Sequence, residues 1–273
     1  EAFKLSRALG TDHAELVMNP EGFADVLPRW MNFLDEPIGD PAAVPTFFLS
    51  LFARRKVTMV LTGEGADELF AGYRRHVLDQ TLGTGLPAWK WAVLGLMKPF
   101  LRSPSHKRIL QAADAASMNP GVGRYLGWAR KTPADVLLKV LGEDVERTWE
   151  EGKLEAEYER HFLSDAEREA SDSGLWTPNS FLDSTLRADL ATWLPDDLLL
   201  KVDRMTMAAG LEARVPYLDH RVVELALRMP AGLKVRNRSG KWILKEAAEG
   251  LVPGWVRKRK KHGLDVPIGS WLR

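Results

Sequence analysis

The run Val57-Thr58-Met59-Val60-Leu61 is β-branched and apolar without polar alternation, the mark of a strand buried on both faces, as in parallel sheets. From Ala66 onward Leu69, Phe70 and Tyr73 recur at helical spacing, so the period changes across a turn that carries Gly63 and Gly65. The local prediction is strand, glycine turn, helix. Upstream, Asp40 followed by Pro41 predicts a helix entry, with Asp as cap and Pro at the first helical position, leading into Phe47, Phe48, Leu51 and Phe52. Beyond Tyr73 no further strand is predicted and the rest reads as helices. Trp89 to Phe100 is an aromatic-rich stretch suited to a core or interface. Glu143 to Glu169 is charged, with Leu154, Tyr158 and Phe162 at spacing four, a solvated amphipathic helix. An apolar helix follows around Phe181 to Leu194.

The chemistry concentrates in Leu61-Thr62-Gly63-Glu64-Gly65-Ala66-Asp67-Glu68-Leu69-Phe70-Ala71-Gly72-Tyr73. This run sets Glu64, Asp67 and Glu68 within five residues with no cation among them, which asks for a metal ion or another strong positive partner. In open α/β sheets ligands bind beyond the carboxyl ends of strands, where these residues would lie. A plainer reading is that Asp67 and Glu68 favour the helix start through its dipole. That reading leaves Glu64 and both glycines unexplained. The run is no Walker loop, lacking the Gly-Lys-Ser/Thr ending.

Two further segments carry charge. Asp203, Arg204, Glu212, Arg214 and Asp219 stand among Met205, Met207, Ala208, Leu211 and Val215, and charges in so apolar a setting should pair with one another. The basic run Arg257-Lys258-Arg259-Lys260-Lys261 with His262 suits nucleic-acid binding, a solvated loop, or a flexible loop that neutralises charge on a bound anion. Gly263, Pro267 and Gly269 after it favour an irregular, mobile segment.

Composition narrows the options. At 273 residues, with 45% hydrophobic and 27% charged, the chain suits one large or two small globular domains. A net charge of +1 gives no general reason to expect nucleic acid, and the absence of cysteine excludes disulfides, thiolate metal sites and a thiol nucleophile. The longest apolar candidate, Leu86 to Leu101, is interrupted by Lys90 and Lys98, so no membrane span is expected. Glu1-Ala2-Phe3-Lys4-Leu5 has neither an initiator Met nor the plan of a secretion signal, which reads as a cytoplasmic fragment.

The glycine-turn run resembles the synthetase domain of the glutamine-dependent asparagine synthetase family, which ends a strand with Ser-Gly-Glu/Asp-Gly-x-Asp-Glu-x-Phe-x-Gly-Tyr. Three more stretches match in order: Asp35-Glu36-Pro37-Ile38-Gly39-Asp40-Pro41 with Pro45-Thr46; Lys201 to Ala208 running on through Gly210 to Asp219; and Lys260-Lys261-His262-Gly263-Leu264 with Val266-Pro267 and Trp271-Leu272. Leu264 stands where the family usually has Phe. The resemblance implies a partial α/β fold of the adenine-nucleotide alpha-hydrolase-like (PP-loop ATPase) type, an α/β part over 1–80 and a mainly helical part over 81–273 that closes the active site. It begins inside the helix after the family's second strand, with Leu5 to His13 leading to a short strand from Glu15 to Met18. The family's Ser-Gly-Gly-x-Asp-Ser pyrophosphate loop and its amino-terminal glutaminase cysteine are not in this sequence, so the fragment is expected to be inactive alone.

The same resemblance implies an ATP-dependent ligase that adenylates the aspartate side chain and transfers ammonia, drawn from glutamine by a glutaminase domain, to give asparagine, AMP and pyrophosphate. It implies Glu64 as the base for ammonia and Lys261 as the lysine that steadies pyrophosphate, with Lys260 in reserve. Thr62 and Gly63 would meet ATP, and Asp67 would hold magnesium. Glu68, Asp203, Arg204, Glu212 and Arg214 would support these groups from behind. Partners would be small molecules and the glutaminase domain, with a homodimer open, and neither nucleic acid nor membrane. Relatives that close β-lactam rings, cyclise lasso peptides or serve polysaccharide synthesis use the same acyl-adenylate chemistry. A non-catalytic remnant that folds against a partner chain is the alternative of a different class.

Overall fold

The computed structural model describes residues 1–19, 22, 25–26, 28, 31–34, 36, 38–82, 118, 121–129, 151–162, 178–259, 263 and 266–271. The Trp89–Phe100 stretch, Asp35, Pro37, Lys260, Lys261, His262 and Leu264 lie outside them. The chain is mostly helical with a small parallel sheet, and it folds as two compact units interleaved along the sequence. One unit comprises Glu1–Ala66, Thr192–Ala226 and Trp242–Arg273; the other comprises Asp67–Ala191 and Leu227–Lys241. Among the described residues no helix is long and apolar enough to cross a membrane.

In the first unit the Ala43–Arg54 helix begins two residues beyond the predicted entry, after a turn in which the Ala42 N–H donates to the Asp40 carboxylate at 3.0 Å. This helix buries Ala43 and Phe47 against Met205 of the Leu200–Met207 helix, with Val26, Leu34, Ile38, Leu51 and Ala208 around them. Lys201, on that second helix, is 5% exposed and its ammonium reaches Asp40 at 2.7 Å, so the charge that opens one helix anchors the other. An ion pair this enclosed is sustained by the partner and not by solvent.

Strand β1 is Met59–Leu61, and it pairs in parallel with β2, Glu212–Arg214, in the register Met59 to Glu212, Val60 to Ala213 and Leu61 to Arg214. Three expectations are corrected here. A strand does exist beyond Tyr73; Glu-Ala-Arg has no apolar run to announce it, and pairing with β1 supplies what propensity does not. Glu15 to Met18 forms no strand, and Val17 is 90% exposed. β1 is not buried on both faces: Val57 is 43% and Leu61 67% exposed, because β2 is its only paired neighbour among the described residues.

In the second unit the Pro178–Ala188 helix serves two cores from two faces. Phe181 and Ala188 pack with Val122, Tyr125 and Leu126 of the Val122–Ala129 helix, while Leu182 and Leu186 pack with Ala71, Ala231 and Val235. The predicted amphipathic helix is present over Glu151–Phe162, with Tyr158 laid against the first core, its ring 5.7 Å from that of Tyr125. The predicted Phe181–Leu194 helix changes character at Asp189, where a π-helical stretch, Asp189–Leu199, carries Pro195. Proline cannot donate to the helical ladder and crowds the preceding turn, and wider turns relieve that crowding.

Candidate active site

The exit of β1 is the turn the sequence pointed to. The Thr62 N–H donates to the Arg214 carbonyl at 2.8 Å, extending the parallel ladder by one residue and fixing the strand end. The Thr62 hydroxyl oxygen is buried and has no hydrogen-bond partner among the described residues. A buried hydroxyl left this way costs about 1–3 kcal/mol unless something else satisfies it. Gly63 is exposed with open space where a side chain would stand, and Glu64 is half-buried. Gly65 has φ +85°, and a Cβ there would run into Leu218, so glycine is required twice over, by backbone angle and by packing.

Asp67 and Glu68 fall in the first turn of the short Ala66–Leu69 helix, as the plainer reading held, and then part company. Glu68 is 1% exposed and its carboxylate accepts a hydrogen bond from the Tyr73 hydroxyl at 2.5 Å. Burial raises its pKa above the ordinary carboxylate range, and the tyrosine bond offsets only part of that rise. Asp67 instead lies 3.0 Å from the Lys241 ammonium, with both side chains partly exposed. The positive partner demanded by the carboxylate run thus arrives from far along the chain. Among the described residues no group of three or more His, Cys, Asp or Glu is gathered to hold a metal. Asp67 is a hard oxygen donor, and the Lys241 ammonium stands where a cation would face it.

The pairing of Asp67 with Lys241 is built into the backbone. A Cβ on Gly72 would collide with the Asp67 carboxylate and the Lys241 stem, and a Cβ on Gly240 would strike the Ala71 carbonyl. Ala71 and Lys241 both adopt left-handed backbone, φ 58° and 53°, and the Lys241 N–H donates to the Phe70 carbonyl at 2.9 Å. Each such non-glycine residue costs on the order of 1 kcal/mol, held in place by its surroundings.

A buried polar hub stands behind Tyr73. The Tyr73 ring packs edge-on against His76 at 5.3 Å, and the Arg75 guanidinium lies 4.6 Å from its centre. Asp189, fully buried, accepts hydrogen bonds from Arg75 at 2.7 Å, His76 at 2.8 Å and the Tyr125 hydroxyl at 2.9 Å. Burial alone would raise the Asp189 pKa, but the His76 and Arg75 interactions outweigh it and hold the carboxylate ionised. Burial pushes the His76 pKa down, so the ring is neutral at pH 7 and its Nε2 carries the proton given to Asp189. Neither Asp189 nor Lys241 was singled out from sequence.

The downstream charges do not form the expected buried network. Alternation along β2 turns Glu212 and Arg214 outward around Ala213, and they pair with each other at 2.8 Å, each more than half exposed. Asp219 is held down to about 2 by side-chain and backbone hydrogen bonds from Arg221. Asp203 is exposed and Arg204 half-buried. Of the basic run, Arg257 and Lys258 close the Gly254–Lys258 helix, Arg257 pairs with Glu249 at 2.9 Å and Arg259 with Glu1 at 2.7 Å.

Comparison with known proteins bears on this arrangement. The family model described as Asparagine synthase matches residues 2–273. The chain is 34% identical over 275 residues to asparagine synthetase (glutamine-hydrolyzing) 1 of Bacillus subtilis strain 168, covering 100% of this chain and 40% of that protein. It is 27% identical over 259 residues to asparagine synthetase (glutamine-hydrolyzing) 3 of the same strain, covering 94% of this chain and 34% of that one. With asparagine synthetase (glutamine-hydrolyzing) of Gallus gallus it shares 39% identity over 75 residues, which is 26% of this chain and 13% of the relative. The chain therefore spans well under half the length of these relatives.

Proposed function

The chain belongs to the asparagine synthase family, whose match runs over residues 2–273, and from that premise we propose that it is part of an ATP-dependent amide-forming ligase that makes asparagine. A carboxylate is a poor electrophile. In this reading the aspartate side chain attacks the α-phosphorus of ATP, the bond to pyrophosphate breaks, and an acyl-adenylate forms. Ammonia then attacks the acyl carbon and AMP leaves. The ammonia comes from glutamine, through a glutaminase domain of the whole protein. We read the parallel β1–β2 pair as part of a PP-loop type sheet, to which the α/β part, 1–80, brings β1 and the mainly helical part, 81–273, brings β2.

The exit of β1 is the observation that carries the proposal. There a buried Thr62 hydroxyl has no partner among the described residues, Gly63 leaves its backbone open to close approach, and half-buried Glu64 follows at once. Thr62 and Gly63 are assigned to the nucleotide, and Glu64 to ammonia, which it orients and deprotonates. Asp67 would hold a magnesium ion, which when bound neutralises charge on the phosphates. Lys261, with Lys260 beside it, is assigned to the leaving pyrophosphate from the family motif. Glu68 is given a structural role through Tyr73, and Asp203, Arg204, Glu212 and Arg214 a supporting one.

Glu64→Gln in the full-length protein tests the assignment. Adenylation of aspartate should persist while asparagine formation falls about 10²–10⁴-fold, the usual worth of a positioned base. Wild-type rates in both steps would show that Glu64 is not the base.

A further inference from the structure

The short Ala66–Leu69 helix is closed by the Gly72 N–H, which donates back to the Asp67 carbonyl at 2.8 Å. Ala71, inside that close, takes the left-handed φ of 58° that such an ending ordinarily gives to glycine. Its methyl is buried with Leu182 and Leu186, so the core holds the strained residue in place. The fold-back returns Tyr73 to the helix, where its hydroxyl meets the Glu68 carboxylate at 2.5 Å. A leucine or methionine would fill the Glu68 site without the cost of burying a carboxyl group. What the carboxyl adds is a directional contact. Tyr73 is itself clamped. His76 makes its one hydrogen bond among the described residues to Asp189, its other ring nitrogen being buried without a partner, so Asp189 sets the ring against which Tyr73 rests. Arg75, on the same carboxylate at 2.7 Å, lies over the Tyr73 ring.

We propose that Tyr73 is a positioning residue for the turn that leaves β1: clamped by Arg75 and His76 on Asp189, it holds Glu68 and so fixes where the short helix sets Asp67. The proposal rests on the reading of this turn as the reaction site. Asp67 and Glu68 are neighbours on one turn of helix, so a fixed Glu68 leaves Asp67 little freedom to shift. Such support matters to rate, because a misplacement of about 1 Å at a reacting site can cost about 10²-fold. The buried Asp189 cluster thereby acts on the turn through one tyrosine hydroxyl, while its own bond to Tyr125 ties it to the Val122–Ala129 helix.

Two variants of the full-length protein, each lacking one tyrosine hydroxyl of the cluster, separate positioning from stability. Tyr73→Phe keeps the ring against His76 and Arg75 but releases Glu68; Tyr125→Phe removes one donor to Asp189 and leaves Arg75 and His76 on it. In Tyr73→Phe, amide hydrogen exchange over residues 66–72, read by mass spectrometry, should quicken about tenfold more than elsewhere in the protein. Its kcat for aspartate-dependent incorporation of labelled pyrophosphate into ATP should fall about 10- to 10²-fold, with KM for aspartate within about twofold of wild type. Tyr125→Phe should leave both readouts within about twofold of wild type. Adding Asp189→Asn to Tyr73→Phe should lower kcat no further, since both act through one chain of contacts. Should that aspartate variant not fold, His76→Phe, which keeps an aromatic edge and drops the bond to Asp189, replaces it in the same comparison. Multiplied losses would overturn the link to Asp189. Wild-type kcat and amide exchange in Tyr73→Phe would overturn the positioning role, and so would equal losses in the two tyrosine variants, the pattern stability alone produces. No incorporation of pyrophosphate by the wild type would overturn the ligase reading instead, with amide exchange still deciding whether Tyr73 holds the helix.

Discussion

Glu68 and Tyr73 face each other in a buried setting, so removing either partner has an unequal effect. Tyr73→Phe strips a buried carboxylate of its donor and should cost about 1–3 kcal/mol, whereas Glu68→Gln leaves a neutral group that still accepts the bond and should cost less. Urea unfolding of both variants checks the order. Gly65→Ala should cost about 1–3 kcal/mol by the same assay, since alanine meets both a left-handed angle and Leu218. Asp79 gives a pH signature. Burial raises its pKa to about 6, with Arg124 at 2.6 Å and the Trp128 indole offsetting only part of the rise. A folded-state pKa above the unfolded value means that protonation favours the fold, so this contribution is full below about pH 4 and lost as pH rises through 6. Wild type should therefore gain on Asp79→Asn by on the order of 2 kcal/mol as pH falls from 7 to 4. A flat difference would contradict it. At this scale the placement of Thr62 to Asp67 on a strand exit and helix start was legible because its signals are local: a strand end, glycines and carboxylates adjacent in sequence. Lys241 and Asp189 were not, because nothing near them in the chain marks a lysine or aspartate whose partner is supplied by tertiary folding.

Elements were legible where one strong local signal sufficed. The helix bearing Phe47 and the strand–turn–helix around Gly65 follow from periodicity and turn chemistry, and the entry at Asp40 shifted by two residues because its side chain closes a turn before the helix instead of capping its first turn. β2 was invisible, since Glu212-Ala213-Arg214 becomes a strand only through the parallel ladder to β1. Glu15 to Met18 has strand-like composition and no such neighbour. The ladder is therefore the determinant, which yields a prediction: Glu212→Pro removes the N–H that donates to the Thr58 carbonyl at 2.9 Å and should destabilise by about 2–3 kcal/mol. Ala at the same position should cost well under half as much. Equal effects of the two substitutions, measured by denaturant unfolding, would show that pairing with β1 does not organise this segment.

For the whole molecule, each unit draws on distant stretches of sequence. The core around Phe47 needs Met205, and Asp40 needs Lys201, so residues 1–66 alone should show no cooperative thermal unfolding. A sharp transition in that fragment would contradict this. Composition gave the broad class, and four ordered motifs gave the family; the division into interleaved units was not legible, because it depends on which distant segments share a core. We propose that the turn leaving β1 serves an adenylating ligase, with Asp67 its metal-holding carboxylate. Aspartate-dependent exchange of labelled pyrophosphate into ATP by the full-length protein tests this most directly. The prediction is exchange in wild type, abolished by Asp67→Asn and retained by Glu64→Gln. Exchange at the wild-type rate in Asp67→Asn, or none with any carboxylic acid in wild type, would contradict it.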